Sequence, residues 1–344
     1  LCHAPSVTSV YTHIISVFLK KSDCRLAAIF GPQHGLHGQT QDNMIEWSGS
    51  LHPILGIPVH SLYGEHRKPT AEMLAGLDAF VVDLQDVGAR LYTYVWTVKL
   101  CMEACAEAGI PVWILDRPNP VARIALDGPV LKKEYFTFVG GACIPLCHRM
   151  TIGEMALWVR EKHAIHCDLN IVWMKNWRRN SLFPGMVLAE ALNISEGRGT
   201  TIPFEMSGAP YINAEKLKDN LDARKISGCV FRIHNFIPTF NKYAGQTCNG
   251  IQIHVTDPSA FLPVLTAYEY FSAVIETSPA DSFKFNDPPY EYEYRLMPFD
   301  ILSGDSIMRI SLVNGVPSKI ERERWISEIS LFEDDFRQMS AYPD

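Results

Sequence analysis

An apolar run, "RLAAIF", stops at Gly31-Pro32 and gives way to Gln33, His34 and His37, then to two lone acids, Asp42 and Glu46. Amides, imidazoles and carboxylates placed after such a stem are groups that bind a polar ligand and move its protons. Three more apolar stems end the same way. "VHSLY" closes on Tyr63, Gly64 and Glu65; "FVVDLQ" leads into Asp86, Arg90, Tyr92 and Tyr94; "VWILD" ends at Asp116, Arg117 and Asn119. In open α/β sheets ligands bind beyond the carboxyl ends of the strands, so four polar tips on apolar stems point to one site. The bland alternative is that the same residues cap helices and pin loops.

Individual residues carry both readings. Asp83 alternates within its strand and reads equally as a buried structural acid. Asp116-Arg117 forms either a local salt bridge at the turn or presents Arg117 to a ligand carboxylate, which a guanidinium holds by two hydrogen bonds. Arg198, between glycines in "SEGRGTT", has the same two readings. His34, beside Gly35, is a better ligand-facing histidine than His163 or His166, which belong to a charged helix end. Thr151 and Glu154 have capping-box spacing, which makes Glu154 a cap rather than a catalyst.

The elements that must position these tips alternate. "SVYTHIISVFLKKSD", "TAEMLAGLD" (with Thr70 as N-cap), "YVWTVKLCMEACAEAG" (closed by Gly109) and "MTIGEMALWVREKHA" read as helices. "RLAAIF", "IPVHSLY", "AFVVDLQ" and "IPVWILD" read as strands. Strands of this length separated by helices indicate βαβ units and a parallel sheet covered on both faces. Beyond about residue 180 the pattern changes to a polar Gly-rich loop, "NISEGRGTTIPFE", two strands, "GCVFRIHNF" and "NGIQIHVTD", and a helix, "SAFLPVLTAYEYFSAVIETS". The expected class is therefore α/β: a Rossmann-like parallel sheet flanked by helices over residues 1–180, carrying most of the site. A smaller α+β domain over 181–344 closes the cleft. The run Glu321 to Arg324 reads as a solvated helix face.

The totals agree with this division. A chain of 344 residues exceeds one ordinary core. With 47% apolar and 20% charged residues it has the composition of a globular protein. A net charge of −7 and a pI near 6.0 argue against nucleic acid as the main partner. No apolar run is long enough to span a membrane, and no Gly-x-Gly-x-x-Gly follows a strand, so a dinucleotide cofactor has no support. The nine cysteines lack paired zinc-type spacing, and their scatter leans towards a reducing compartment. Cys101 and Cys105, one helical turn apart, read as buried packing. The opening "LCHAPSVTSVYTHI" resembles neither a start methionine nor a signal peptide and reads as the inside of a domain.

The motifs "GPQHG", "SLYGEHRKPT", "DLQDVGARLYTY", "LDRPNP", "NISEGRGTT.PFE" and "NGIQIHVTD", in this order, resemble the exo-β-N-acetylmuramidase (NamZ-like) family, formerly a domain of unknown function. The resemblance runs over nearly the whole chain. It implies a bacterial glycoside hydrolase with a cleft between a Rossmann-like and a smaller domain. The implied activity releases N-acetylmuramic acid from non-reducing ends of peptidoglycan fragments, without nucleotide or required metal. It also brings Glu196 and Glu205 among the substrate-binding candidates. Family members commonly export this activity, in tension with the cysteine usage.

Two departures from the family pattern matter. Gln33 stands where the resemblance implies, for most family members, the glutamate of Pro-Glu-His-Gly, and an amide cannot act as a general acid, a role worth roughly 10²- to 10⁴-fold. Glu46, beside the apolar Trp47 that could desolvate it, is the expected replacement, with Glu65 and Asp86 as contenders. The second departure is a shorter stretch at "NWRRNSLFPGM", near residues 180–183, read as a deletion or a missing mobile loop.

Tyr92 and Tyr94 keep a tyrosine nucleophile open. Arg90, Arg117 or Arg198 is expected to hold the lactyl carboxylate of muramic acid, and Tyr63 and Trp47 to stack on the sugar. Two alternatives remain: an amino-sugar-binding protein that lost hydrolysis with Gln33, and a glycosidase for a related amino sugar.

Overall fold

The computed structural model describes residues 1–20, 23–40, 42, 44–121, 125–175, 177 and 185–342. The shortened stretch near residues 180–183 and the expected division between residues 180 and 181 lie outside them.

The first half follows the alternation of its sequence. After a short helix α1 (Ile14–Leu19) come β1 (Ile29–Gly31), β2 (Ser50–Leu51), β3 (Pro58–Ser61), α2 (Ala71–Leu74) and β4 (Phe80–Val82). Then α3 (Tyr94–Ala108) leads to β5 (Val112–Leu115). The Thr70 hydroxyl accepts from Met73 N and caps α2. Gly109, at φ 67°, ends α3. A hairpin, β6 (Asp127–Val130) with β7 (Pro145–Cys147), precedes α4 (Ile152–Lys162) and β8 (Leu169–Val172). The Thr151/Glu154 capping box forms at the start of α4, so Glu154 serves the helix.

Strand order explains where a ligand can enter. β1 pairs with β3 in parallel on one side, and β3 with the antiparallel edge β2; on the other side β4, β5 and β8 run parallel. Residues 1–2 join the two sets, with Cys2 N donating to Phe30 O and Asp83 N donating to Leu1 O. The chain therefore leaves β1 towards one edge and leaves β4 towards the other. Such a reversal opens a crevice beyond the carboxyl ends of the strands that flank it, here β1 and β4. Helices α3 and α4 pack together on the β4–β5–β8 set. Cys101 and Cys105, both fully buried, lie in that core with Val82, Val112 and Ile114.

The second half is built on an antiparallel sheet of β9 (Met206–Ala209), β10 (Cys229–Phe236) and β11 (Cys248–Val255), in the order β10-β11-β9. Helices α5 (Ala214–Arg224), α6 (Pro263–Thr277), α7 (Pro298–Ser303), α8 (Ile307–Val313) and α9 (Ser318–Met339) complete it. Their core holds Leu217, Ile251, Tyr268, Phe271, Phe299 and Trp325.

The two halves are stitched together. Asp127 of β6 accepts from Val264 N and Leu265 N at the start of α6, and the far end of α9 places Phe332 and Phe336 in the first core. Glu321 corrects one expectation. It is buried and accepts from Ser311 and Arg324, while Arg324 also reaches Asp305 and Glu328, so these two residues form a charge network and only Arg322 and Glu323 of the run are exposed. Among the described residues no helix is long and apolar enough to cross a membrane.

Candidate active site

At the reversal between β1 and β4 lies a cavity of about 250 Å³. The β1 tip contributes Gln33 and His34, and the segment after β4 contributes Val87, Ala89, Leu91, Tyr92 and Thr93. The second half closes it with Glu190, Arg198, Phe204, Tyr290 and Glu291. A second cavity, of about 360 Å³, lies at the opposite ends of the strands, near residues 24–28 and 76–80. Its lining includes the charged residues Asp23, Arg25, Asp78 and Asp83, of which Asp83 is paired with Arg117, and it lies away from the carboxyl ends of the strands, where ligands of such sheets bind.

Glu291 is one of two carboxyl groups that line the smaller cavity. The Tyr63 hydroxyl donates to its Oε2 at 2.8 Å, and the Gln33 side-chain amide donates to Oε1 at 3.3 Å. Burial raises the Glu291 pKa above the usual value, against the opposing pull of those two hydrogen bonds, and the nearby Glu190 raises it further. Gln33 is itself held by Thr93, whose hydroxyl donates to Oε1 at 2.7 Å.

Glu190 occupies a 3-10 turn, Gly185–Ala191, and is paired with Arg198 at 2.5 Å; the Tyr290 hydroxyl donates to its other oxygen at 2.8 Å. Pairing with a guanidinium is the arrangement of an ionised carboxylate. Lys242 fixes the turn by donating to Ala189 O, Glu190 O and Ile194 O, and it also pairs with Glu196 at 2.9 Å. Arg198 lies over the Phe204 ring and within 3.3 Å of Glu196.

His34 sits at φ 70° and donates from Nδ1 to Thr40 O at 2.7 Å; because a carbonyl only accepts, Nε2 is the unprotonated nitrogen of the neutral ring. Burial lowers its pKa, which favours that neutral form. Gly35, at φ 84°, holds a left-handed backbone conformation that favours glycine, with the end of the Gln39 side chain packed against it. Tyr92 lines the cavity against Tyr94, and burial pushes its hydroxyl up to about 12, so it is a protonated phenol at neutral pH. Among the described residues no group of three His, Cys, Asp or Glu side chains is arranged to hold a metal ion.

Several expected site residues lie elsewhere. Glu46 is not desolvated by Trp47. Its side chain is 48% exposed, and hydrogen bonds from Tyr292 and Arg67 hold its pKa below the usual range, the reverse of what a general acid needs. Trp47 packs its ring against Gly31, donates to Pro32 O and lines, with Glu46 and Glu65, a separate cavity of about 380 Å³, while Tyr63 is fully buried beneath Glu291, so neither ring faces the cavity that holds Glu291.

Arg90 is buried and donates to Pro129 O, Ile144 O, Leu302 O and Ser303 O, tying the hairpin to the end of α7. Arg117 is committed to both oxygens of Asp83 and to Val7 O. That makes Asp83 a buried structural acid held by a guanidinium.

Asp116 accepts from Thr151, Gly153 N and Tyr342, and Asn119 spans Met150 O and Val121 N. Asp86 is buried behind the cavity wall, accepting from Gly88 N and facing His148 at 3.7 Å. Burial pushes Asp86 up to about 7 and lowers His148, so both favour their neutral forms. Glu65 is exposed, Glu205 is exposed and engaged through its backbone, and Glu196 lies beneath Arg198. Of the four tips, β1 and β4 meet at the cavity, Tyr63 after β3 supports it from behind, and the β5 tip contributes only Pro120.

The sequence reading missed Glu190, Tyr290 and Glu291. A signal existed for Glu190, the lone acid inside the apolar run "MVLAEALNI". Glu291, in "PPYEYEYR", has none that separates it from its neighbour Glu293.

Models of the N-terminal and C-terminal domains of exo-β-N-acetylmuramidase NamZ match residues 1–189 and 181–342. The chain belongs to the NamZ family. It is 38% identical to peptidoglycan β-N-acetylmuramidase NamZ of Bacillus subtilis (strain 168) over 324 residues, 88% of this chain and 76% of that one. Crystal structures of two DUF1343 family proteins from Bacteroides fragilis are similar. One has TM-score 0.85 and 27% identity, covering 99% of this chain and 92% of the other; the second has TM-score 0.77 and 25% identity, covering 100% and 93%.

Proposed function

We propose that this NamZ-family chain hydrolyses the β-glycosidic bond of N-acetylmuramic acid at the non-reducing end of peptidoglycan fragments, with Glu291 as the general acid. The carrying observation is a buried carboxyl group of raised pKa sharing a cavity with a second, ion-paired carboxylate. Glycoside hydrolysis needs two such groups in different states, one to protonate the leaving oxygen and one to act opposite the oxocarbenium-like carbon. Glu291 suits the first role and Glu190 the second. The cavity is slightly smaller than the roughly 300–1,000 Å³ of pockets that hold drug-sized ligands. That leaves room for one terminal sugar, in keeping with attack at a chain end.

Arg198 is a cation in the cavity wall, paired with Glu190 and Glu196, and its positive charge there suits it to attract the lactyl carboxylate of a bound sugar. Arg90 and Arg117 are excluded from that role by their protein partners. Gln33 takes a new part: its amide orients Glu291, so proton donation does not depend on a carboxyl group at position 33. We further propose that the chain divides near residue 180, with each half supplying one wall of the cavity.

The test is release of chromophore from a chromogenic β-N-acetylmuramide. Glu291→Gln is expected to lower kcat by roughly 10²- to 10⁴-fold. Wild-type turnover in that variant overturns the assignment of the acid. Thermal stabilisation by N-acetylmuramic acid without any turnover of the native chain supports a binding protein instead.

A further inference from the structure

The segment carrying Glu291, residues 286–297 between α6 and α7, contains no helix or strand. Its internal pairing is one bridge in which Tyr290 and Glu293 exchange N–H···O bonds of 2.9 and 3.0 Å. Glu291 and Tyr292 both have positive φ, 46° and 67°, a conformation that residues with side chains adopt only where their surroundings hold them. The strap is held from the first half of the chain. Glu291 reaches Tyr63 and Gln33, its N–H meets the Met44 sulfur at 3.1 Å, and the Tyr292 hydroxyl donates to Glu46 at 2.9 Å.

One guanidinium connects these contacts. Arg67 lies 4.1 Å from the centre of the Tyr63 ring and 5.1 Å from that of Tyr292. It donates to Glu46 Oε1 at 3.1 Å and to Gly64 O. It thus touches the phenol that binds the Glu291 carboxylate, the residue after Glu291, and the acid that anchors that residue. Resting on the reading of Glu291 as the acid, we infer that Arg67 is a positioning residue, clamping the strap that presents Glu291 to the cavity. Arg67 does not line the cavity itself, so it acts through Tyr63 and Tyr292. A plain surface ion pair with Glu46 would contribute little. A planar cation between two aromatic rings fixes the orientation of both, and lysine cannot reproduce it.

The clamp has an electrostatic signature. Glu291 is faced by Tyr63, Gln33, Glu190, Tyr290, Arg198 and Arg67. Arg67 lowers its pKa, whereas Glu190 raises it. Removing the Arg67 charge therefore lets Glu291 keep its proton to higher pH, and the alkaline limb of kcat/KM moves upward.

With a chromogenic β-N-acetylmuramide as probe, Arg67→Met is expected to lower kcat by about 10- to 100-fold, to change KM by less than about 3-fold, and to shift that limb up. Arg67→Lys keeps the charge and loses the stack, so kcat falls by about 3- to 10-fold with the limb in place. A folded Arg67→Met with wild-type kcat and an unmoved limb, whatever its melting temperature, overturns the clamp. Should Arg67→Met fail to fold, wild-type kcat in Arg67→Lys overturns it equally. Glu291→Gln measured alongside separates the two ideas. Turnover surviving in Glu291→Gln defeats the acid assignment regardless of Arg67, whereas loss there with normal Arg67 variants defeats only the clamp.

Discussion

Two strand ends of this protein look alike in sequence and serve opposite purposes. After β5, Asp116, Arg117 and Asn119 are as polar as any catalytic loop, yet every one is spent on the protein. Asp116 caps α4, Arg117 neutralises Asp83, and Asn119 closes its own turn. After β1, Gln33 and His34 meet Glu190, Arg198 and Glu291 from the other half of the chain around a cavity. Polarity at a strand end is therefore no measure of function. Gln33, Glu190 and Glu291 are also bonded to protein neighbours, so what distinguishes the two is that the β1 tip lines a cavity shared with the other half of the chain. The reversal of chain direction between β1 and β4 creates that space, and β5 lies on the far side of β4 from it.

The comparison can be broken most decisively at the two arginines. Arg198→Met, in the cavity, is expected to raise KM for a muramide by about 10- to 100-fold, as the loss of a charge-assisted carboxylate contact implies. Arg117→Met is expected to leave KM and kcat unchanged and to lower the melting temperature, since Asp83 is left buried without its cation. Steady-state kinetics on both variants, with thermal melts, check the pair. Equal effects on KM would erase the distinction.

Next in size, Asp116→Ala is expected to cost about 1–3 kcal/mol of stability, measured by denaturant unfolding, because Thr151, Gly153 N and Tyr342 lose a common acceptor. Activity per folded molecule stays at the wild-type level.

Asp86 sharpens the contrast through pH. Its folded-state pKa, about 7, lies above the ordinary 3.8, so the folded chain binds this proton more tightly than the unfolded chain. The stability linked to it is present at low pH and is lost as pH rises from about 4 to about 7. Asp86→Asn is expected to flatten that part of the stability–pH curve, read by unfolding at intervals across the range. The smallest effect belongs to Glu46. Glu46→Gln is expected to change stability by less than about 1 kcal/mol, as an exposed ion pair does, and to lower kcat only a few-fold by loosening Tyr292. A loss near that of Glu291→Gln would return Glu46 to the centre of the site.

Much of the fold could be read from local pattern. The caps at Thr70 and Thr151, the glycine that ends α3, the apolar stems of β3, β4 and β5 and the buried cysteines of α3 all depend on neighbours a few residues away. Gln33, His34 and Tyr92 were legible as cavity residues for a similar reason, since a strand end points its following residues one way. Glu291 was not legible. It lies 258 residues from Gln33, and nothing in "PPYEYEYR" separates it from Glu293, which pairs with Arg295 and does not line the cavity. Glu46 failed as the acid because an apolar neighbour in sequence is not burial in space: Trp47 turns inward to Gly31 while Glu46 faces Arg67 and solvent.

The order of residues by itself determined the alternation of strands and helices, their caps, and the family, because these depend on composition and on spacing along the chain. Only the tertiary structure decided which carboxyl group is desolvated and which arginine lines the cavity. Desolvation and charge pairing are properties of the atoms that surround a group, and here those atoms come from both halves of the chain.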